Sequence, residues 1–576
     1  MISSSARRFT RADPVLFVHF FRGFFESDLL SIRDQLVPVF ASIAALLASF
    51  GLILPVLFNH KYRVLNALPT PALYREAALA DKLMFICISM DLTAIATLLN
   101  WQSLFPDLKD FLILTPLPID RRQLFRSKFL ALLLFVTLLI LSLNILPSFS
   151  MTAIMSGRWQ ESETSFLKSL LTIFSFFAAC SLAAYFVFFT LLAVQGLLLN
   201  LLPSAWFASC SFAVQGILLI VACAALPLTL WISGLHAFIG KEPAALAWLP
   251  PAWFLGLGEV FLRRADPVFE ALADRAVWGL SLAVVSASLL YLAAYARRTD
   301  QLSKTPGARQ ITNWRILDLT ARAPEEAAIL SFTCKSLFRS RVHKLLAAAI
   351  VGACLALVLD GFASLLINGA LHRRVIAHSA LLSVACSTPL IAAFFLLTGL
   401  LFIFSIPIDL RANWIFRLSE APGRHWPMLA TEKILLTLVV LPVSALTVIC
   451  LAAWTGFEET LLQAAFVFLM CLVLAEMLLW NWNRIPFTCP YLPGKRNIIQ
   501  SALVFTVALS LFAYTATSLE LRLRHSRVAV AVLLATLLIV VLFMHVQRRK
   551  SWTGGLAIRF DEAPEPEVRT LDLAGE

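Results

Sequence analysis

Apolar runs of about 20 residues, separated by short polar segments, recur along this chain. An α-helix needs a run of about that length to cross the hydrocarbon core of a bilayer. The runs predict spans at about 37–57, 82–104, 129–148, 165–202, 206–238 and 275–295. The pattern then turns polar and restarts, with spans at about 345–368, 378–404, 434–454, 459–482, 498–518 and 527–546. The run 165–202 is too long for one straight crossing, so an extended or tilted helix is expected there. Residues 58–80, with His60, Lys61, Arg63 and Arg75, read as a loop. Residues 15–36 place His19, Arg22, Glu26 and Arg33 at helical spacing, with phenylalanines on the other side. From Glu325, Lys335, Arg339 and His343 recur four apart. Both stretches predict amphipathic helices lying in the membrane interface. The tryptophan and paired prolines of 249–267 suggest another interfacial segment.

The expected fold is all-α: a polytopic membrane protein of about 12 transmembrane helices in two tandem six-helix bundles, each preceded by an interfacial amphipathic helix. The divisions are 1–296 for the first six-span unit, 297–324 for a polar cytoplasmic linker, 325–546 for the second unit and 547–576 for a cytoplasmic tail. The internal repeat is one of element order more than of identity. Lys128 and Lys433 are about 305 residues apart, and each leads into a third span.

Composition agrees with lipid as the solvent. Hydrophobic residues make up 60% of the chain and charged residues 14%, with a mean hydropathy of +0.82, against roughly 45–50% apolar in soluble domains. The net charge of +12 does not call for nucleic acid, because the basic residues sit mostly beside apolar spans. That is the positive-inside pattern. An even span count puts both termini on one side. The connections on that side are the richer in Lys and Arg, so both termini are expected to be cytoplasmic, in a multi-pass protein of the cytoplasmic (inner) membrane. The basic stretch from Leu521 runs against this assignment. The N-terminal segment is basic, but the first apolar run is late and full length, so no cleavable signal is expected. Most of the ten cysteines, including Cys87, Cys180, Cys354 and Cys471, fall in apolar runs without metal spacing and read as small buried residues.

The chain carries no G-x-x-x-x-G-K-[ST], H-E-x-x-H or G-x-S-x-G. No catalytic, cofactor-binding or metal-binding residue is therefore expected, and the chain is not expected to be an enzyme. Ionisable residues within spans are costly and are functional candidates by default. Asp91, Asp360 and Glu476 are the acidic ones. A second signal is the pair of basic segments 105–128 and 407–433, each between two spans. In the first, Pro118 fixes a turn and Asp120 is placed to cap a helix. In the second, Glu420-Ala421-Pro422-Gly423 is the break. A helix lying across such a segment would dock a soluble partner through aromatic and arginine anchors. The candidates are Phe111, Arg121, Arg122 and Phe125 in the first, and Trp414, Phe416, Arg417, Arg424 and Trp426 in the second.

The order of interfacial helix, two spans, basic helical segment and four further spans resembles the membrane subunit of type-2 ABC exporters, the ABC transporter permeases. The stretch PLPIDRRQLFRSKFLALLL from Pro116 resembles that family's link between second and third spans, and LPPAWFLGLGEVF from Leu249 its short external segment. This chain departs from the family in fusing two units. The resemblance implies a permease subunit that moves substrate across the membrane with ATP hydrolysed on a separate ABC ATPase subunit, in two copies, docked on the two basic segments. It implies no cofactor in this chain, with ATP on the partner. An ion-coupled secondary transporter, a membrane-embedded enzyme and a structural membrane protein stay open as alternatives.

Overall fold

The computed structural model describes residues 14–24, 55–69, 71–105, 121–155, 166–229, 247–263, 266–303, 323–372, 378–408, 426–489, 498–524 and 526–553, with 232, 321, 413, 415, 416 and 559. They are almost wholly helical. One isolated bridge, between Arg484 and Arg559, is the extent of β pairing among the described residues. Among the described residues, eleven helices are long and apolar enough to cross a membrane, as in a multi-pass membrane protein. The expected first span, 37–57, lies outside the described residues except at its end.

The chain divides into two compact units, Met1–Arg309 with Leu366–Arg374, and Gln310–Leu365 with Val375–Glu576. In the first, α1 (14–23) and α2 (55–67) precede α3 (Pro71–Leu99), α4 (Arg121–Met155), α5 (Phe166–Leu201), α6 (Ser204–Leu228), α7 (Pro250–Phe261) and α8 (Pro267–Ser303). In the second, α9 (Pro324–Arg339) leads to α10 (Arg341–His372), α11 (His378–Phe404) and α12 (Trp426–Leu435). A π-helical turn, Leu436–Val440, joins α12 to α13 (Leu441–Thr455). Then come α14 (Phe457–Leu479), α15 (Ile498–Leu523) and α16 (Arg527–Thr553). α3 and α11 sit centrally in their units, with 56% and 50% of their crossing segments buried. α16 is peripheral, with 6%.

Four expectations need correction. The supposed loop 58–80 is helical: α2 runs to residue 67 and α3 begins at Pro71. These helices can project beyond the apolar layer because Lys61 and Tyr62 of α2 both bond Asp81 of α3, at 2.8 and 2.7 Å. The third spans begin earlier than expected, at Arg121 and Trp426, so that Arg121, Arg122, Arg126 and Lys128 form the first turns of α4, while α12 carries Lys433 beside Glu432. The fifth helix stops at Leu228, one residue beyond Pro227. The expected second interfacial helix breaks at Ser340, leaving His343 on α10.

The segment at 249–267 is not a crossing helix, as expected of it. Its helix, α7, is too short to cross, and it buries Ala252, Phe254, Leu255, Leu257 and Glu259. Gly256 explains the close fit of α7 on α8. A Cβ there would lie 2.5 Å from Leu272 Cβ and 2.9 Å from the Phe269 carbonyl oxygen. Gly256→Ala is therefore expected to destabilise the first unit by about 1–3 kcal/mol through overpacking. Thermal unfolding of the purified variant in detergent measures this, and an unchanged midpoint would refute the close fit.

The two units share one local arrangement. In the first, Leu16, Phe20 and Phe24, four apart, are buried. Phe24 stacks on Phe135 of α4 at 5.1 Å, and Lys128 Nζ lies 5.1 Å from the Phe20 ring centre. In the second, α9 buries Glu326, Leu330, Cys334 and Leu337, and Glu326 pairs with Lys433 of α12 at 2.5 Å. In both, the preceding short helix clasps the lysine in the opening turns of the third crossing helix.

Candidate functional site

Each basic segment departs from a restrained helix end. The last carbonyls of a helix have no partner within it. At the end of α3 side chains supply donors: Gln215 Nε2 to the Leu98 carbonyl at 2.6 Å, Gln195 Nε2 to Trp101 at 2.5 Å and the Tyr291 hydroxyl to Leu104 at 3.0 Å. At the end of α11 the chain at 481–489 folds back. The Phe487 N–H donates to the Phe404 carbonyl at 2.8 Å, and the Ile408 N–H to the Phe487 carbonyl at 3.3 Å. Asn413 Nδ2 donates to the Thr488 carbonyl at 2.8 Å. Phe487 holds a left-handed backbone, φ 67°, to do this, and its ring meets His343 and Phe404 edge-on.

The principal ionic centre lies in the second unit, where α12, α14 and α16 meet. Arg548, with 1% of its side chain exposed, reaches Glu432 at 2.6 Å and Glu476 at 2.6 Å. His545 Nδ1 lies 3.1 Å from Glu476 and 3.5 Å from Glu432. The spacing of the two carboxylates and the imidazole would suit a metal ion. The Arg548 guanidinium already bridges both carboxylates, so the cation that this donor set demands is supplied by the chain. Glu476 lies three residues from the end of α14. Glu432 lies in the second turn of α12, and Arg548 near the end of α16. The centre therefore sits at the end of the unit from which the second basic segment enters.

The first unit has two buried pairs near the start of α3. Asp81, fully buried, is held by Lys61 and Tyr62. Burial, and then the Asp81 carboxylate, raise the Tyr62 hydroxyl above the ordinary phenol range, so it stays protonated and donates. Lys82 pairs with Glu259 of α7 at 2.6 Å.

The sequence-chosen residues are distributed as follows. Phe111, Trp414, Arg417 and Arg424 lie outside the described residues. Arg121 and Arg122 open α4. Phe125 lies within a ring cluster, 5.9 Å from Phe129 and 5.5 Å from Tyr291, so it anchors the bundle as well as bordering the segment. Phe416 meets Phe332 of α9 edge-on at 5.3 Å, and Trp426, half-buried, opens α12. Of the acids, Glu476 joins the centre above. Asp91 is half-buried on α3, and no hydrogen bond or ion pair to it is found among the described residues. Asp360 is half-buried near the C-terminal end of the α10 crossing segment.

Sequence reasoning missed Lys82, Glu259, Glu326, Glu432, His545 and Arg548 as partners in buried ionic contacts. It placed Glu432 in a connector and Arg548 in the tail, Glu259 and Glu326 in interfacial segments, and Lys82 and His545 at the ends of spans. It also missed Glu520 of α15, buried beside Gln463 and Cys386. The one signal was charge of both signs flanking the same spans. The structure also accounts for the basic stretch from Leu521. Arg524 pairs with Glu459 at 2.5 Å and Arg527 with Glu458 at 3.3 Å, so acidic and basic connectors meet at one end of the unit. Comparison with family models, curated proteins and solved structures finds no match to the chain.

Proposed function

We propose that this chain is the permease subunit of an ABC-type exporter, with ATP hydrolysed by a separate ATPase subunit, in two copies, that docks on the basic segments 105–128 and 407–433. One observation carries the reading. In both units a short helix clasps a lysine in the opening turns of the third crossing helix, and in the first unit the basic opening turns of α4 continue without a break into the apolar run. Force applied to such turns passes along the helix instead of being lost in a flexible connector. The locked state of Glu476 also favours ATP over ion coupling, because a carboxylate bridged by a buried arginine is poorly placed to exchange an ion. Asp91, with no hydrogen bond or ion pair among the described residues, is what favours the second reading, an ion-coupled transporter.

The test is co-purification with an ABC ATPase subunit, sought among the products of neighbouring genes. Charge reversal of Arg121 with Arg122, or of Arg417 with Arg424, is expected to weaken association about thirtyfold, equivalent to roughly 2 kcal/mol, and to abolish transport while the protein still inserts. Undiminished association and transport in both variants would overturn the docking assignment. Transport driven by an imposed proton gradient and lost in Asp91→Asn would favour the ion-coupled reading.

A further inference from the structure

A groove of about 1110 Å³ opens at the end of the first unit opposite the basic start of α4. It lies among the start of α3, the end of α4, the start of α5 and the end of α7. Its walls are largely apolar, with Met155, Leu171 and Phe174 among them. Four lining residues, Arg75, Lys82, Lys168 and Arg263, are basic, and no described lining residue is acidic. Lys82 is balanced by Glu259. Arg75, Lys168 and Arg263 come from three different elements and are exposed at the lip. Lys168 lies in the first turn of α5, where the positive end of the helix adds to its charge.

We propose that this groove binds an acidic phospholipid, with its phosphate at the three lip cations and its upper acyl chains along the apolar wall. The position suits such a ligand. The groove lies at the ends of crossing helices, where headgroups lie, and basic side chains there attract anionic lipid. A zwitterionic lipid would fill the apolar wall as well but would gain little from the cations. The site does not depend on the transport reading.

The experiment is native mass spectrometry of the full chain in detergent, titrated with phosphatidylglycerol or with phosphatidylcholine of the same acyl chains. About tenfold preference for phosphatidylglycerol is expected, and it should vanish in the triple variant Arg75→Gln, Lys168→Gln, Arg263→Gln. All three side chains are exposed, and a thermal scan of the variant separates a loss of lipid preference from a loss of fold. The single variant Lys168→Gln, with a partial loss, provides an independent check. Equal retention of the two lipids by the wild type, or an unchanged preference in the triple variant, would overturn the proposal. Displacement of phosphatidylglycerol by an equal concentration of inorganic phosphate would overturn it too, since the apolar wall would then contribute nothing.

Discussion

Arg548→Ala is expected to destabilise the second unit by about 3–5 kcal/mol, the cost of leaving buried carboxylates without their counter-charge. Arg548 is 1% exposed and touches both Glu432 and Glu476. Its removal opens a cavity and leaves two acids beside one imidazole. The variant should unfold well below the wild type in a thermal scan. A compensated variant, Arg548→Met with Glu432→Gln and Glu476→Gln, removes charge of both signs and keeps most of the volume. It should recover most of the loss, because a buried ion pair contributes little net stability over a neutral replacement. An Arg548→Ala midpoint equal to the wild type would show that the guanidinium is not a structural tie. Failure of the compensated variant to recover would assign the cost to shape and not to charge.

Lys433→Ala is expected to cost about 3 kcal/mol or more for the same reason, because Glu326 is fully buried and pairs with Lys433 at 2.5 Å. Lys128→Ala, in the matching place of the first unit, removes a ring contact as well. Lys128 lies over the Phe20 ring, and a desolvated cation–π contact contributes about 2 kcal/mol. Lys433→Ala with Glu326→Gln should restore stability. Thermal unfolding of the three variants against the wild type measures the difference. An unchanged midpoint in Lys433→Ala, or no recovery in its double variant, would show that the Glu326 pair is not a structural tie. Both lysines hold a clasp at the start of a third crossing helix. If the basic segments transmit work from a partner, these variants should also weaken coupling when assayed below their unfolding midpoints.

The membrane class and the order of elements were legible in the sequence for a physical reason. A bilayer demands about 20 apolar residues per crossing, and its dry core leaves helices as the way to satisfy their backbone groups. Each of these demands is local, so each leaves a local trace. The short helix before each unit was legible too, since Leu16, Phe20 and Phe24 share one face by helical spacing alone. The ionic centres left no such trace. Lys82 and Glu259 are 177 residues apart, and Arg548 and Glu432 are 116 apart. Near a helix end, a charge that will be buried against another helix looks the same in the sequence as one that will face water. The burial of α7 was likewise decided by neighbours, with Gly256 admitting α8 so closely that the short helix lies within the unit. Apolar periodicity determined which segments enter the membrane. Only tertiary packing decided which charges go in with them, because their desolvation is offset by partners that are distant in the chain.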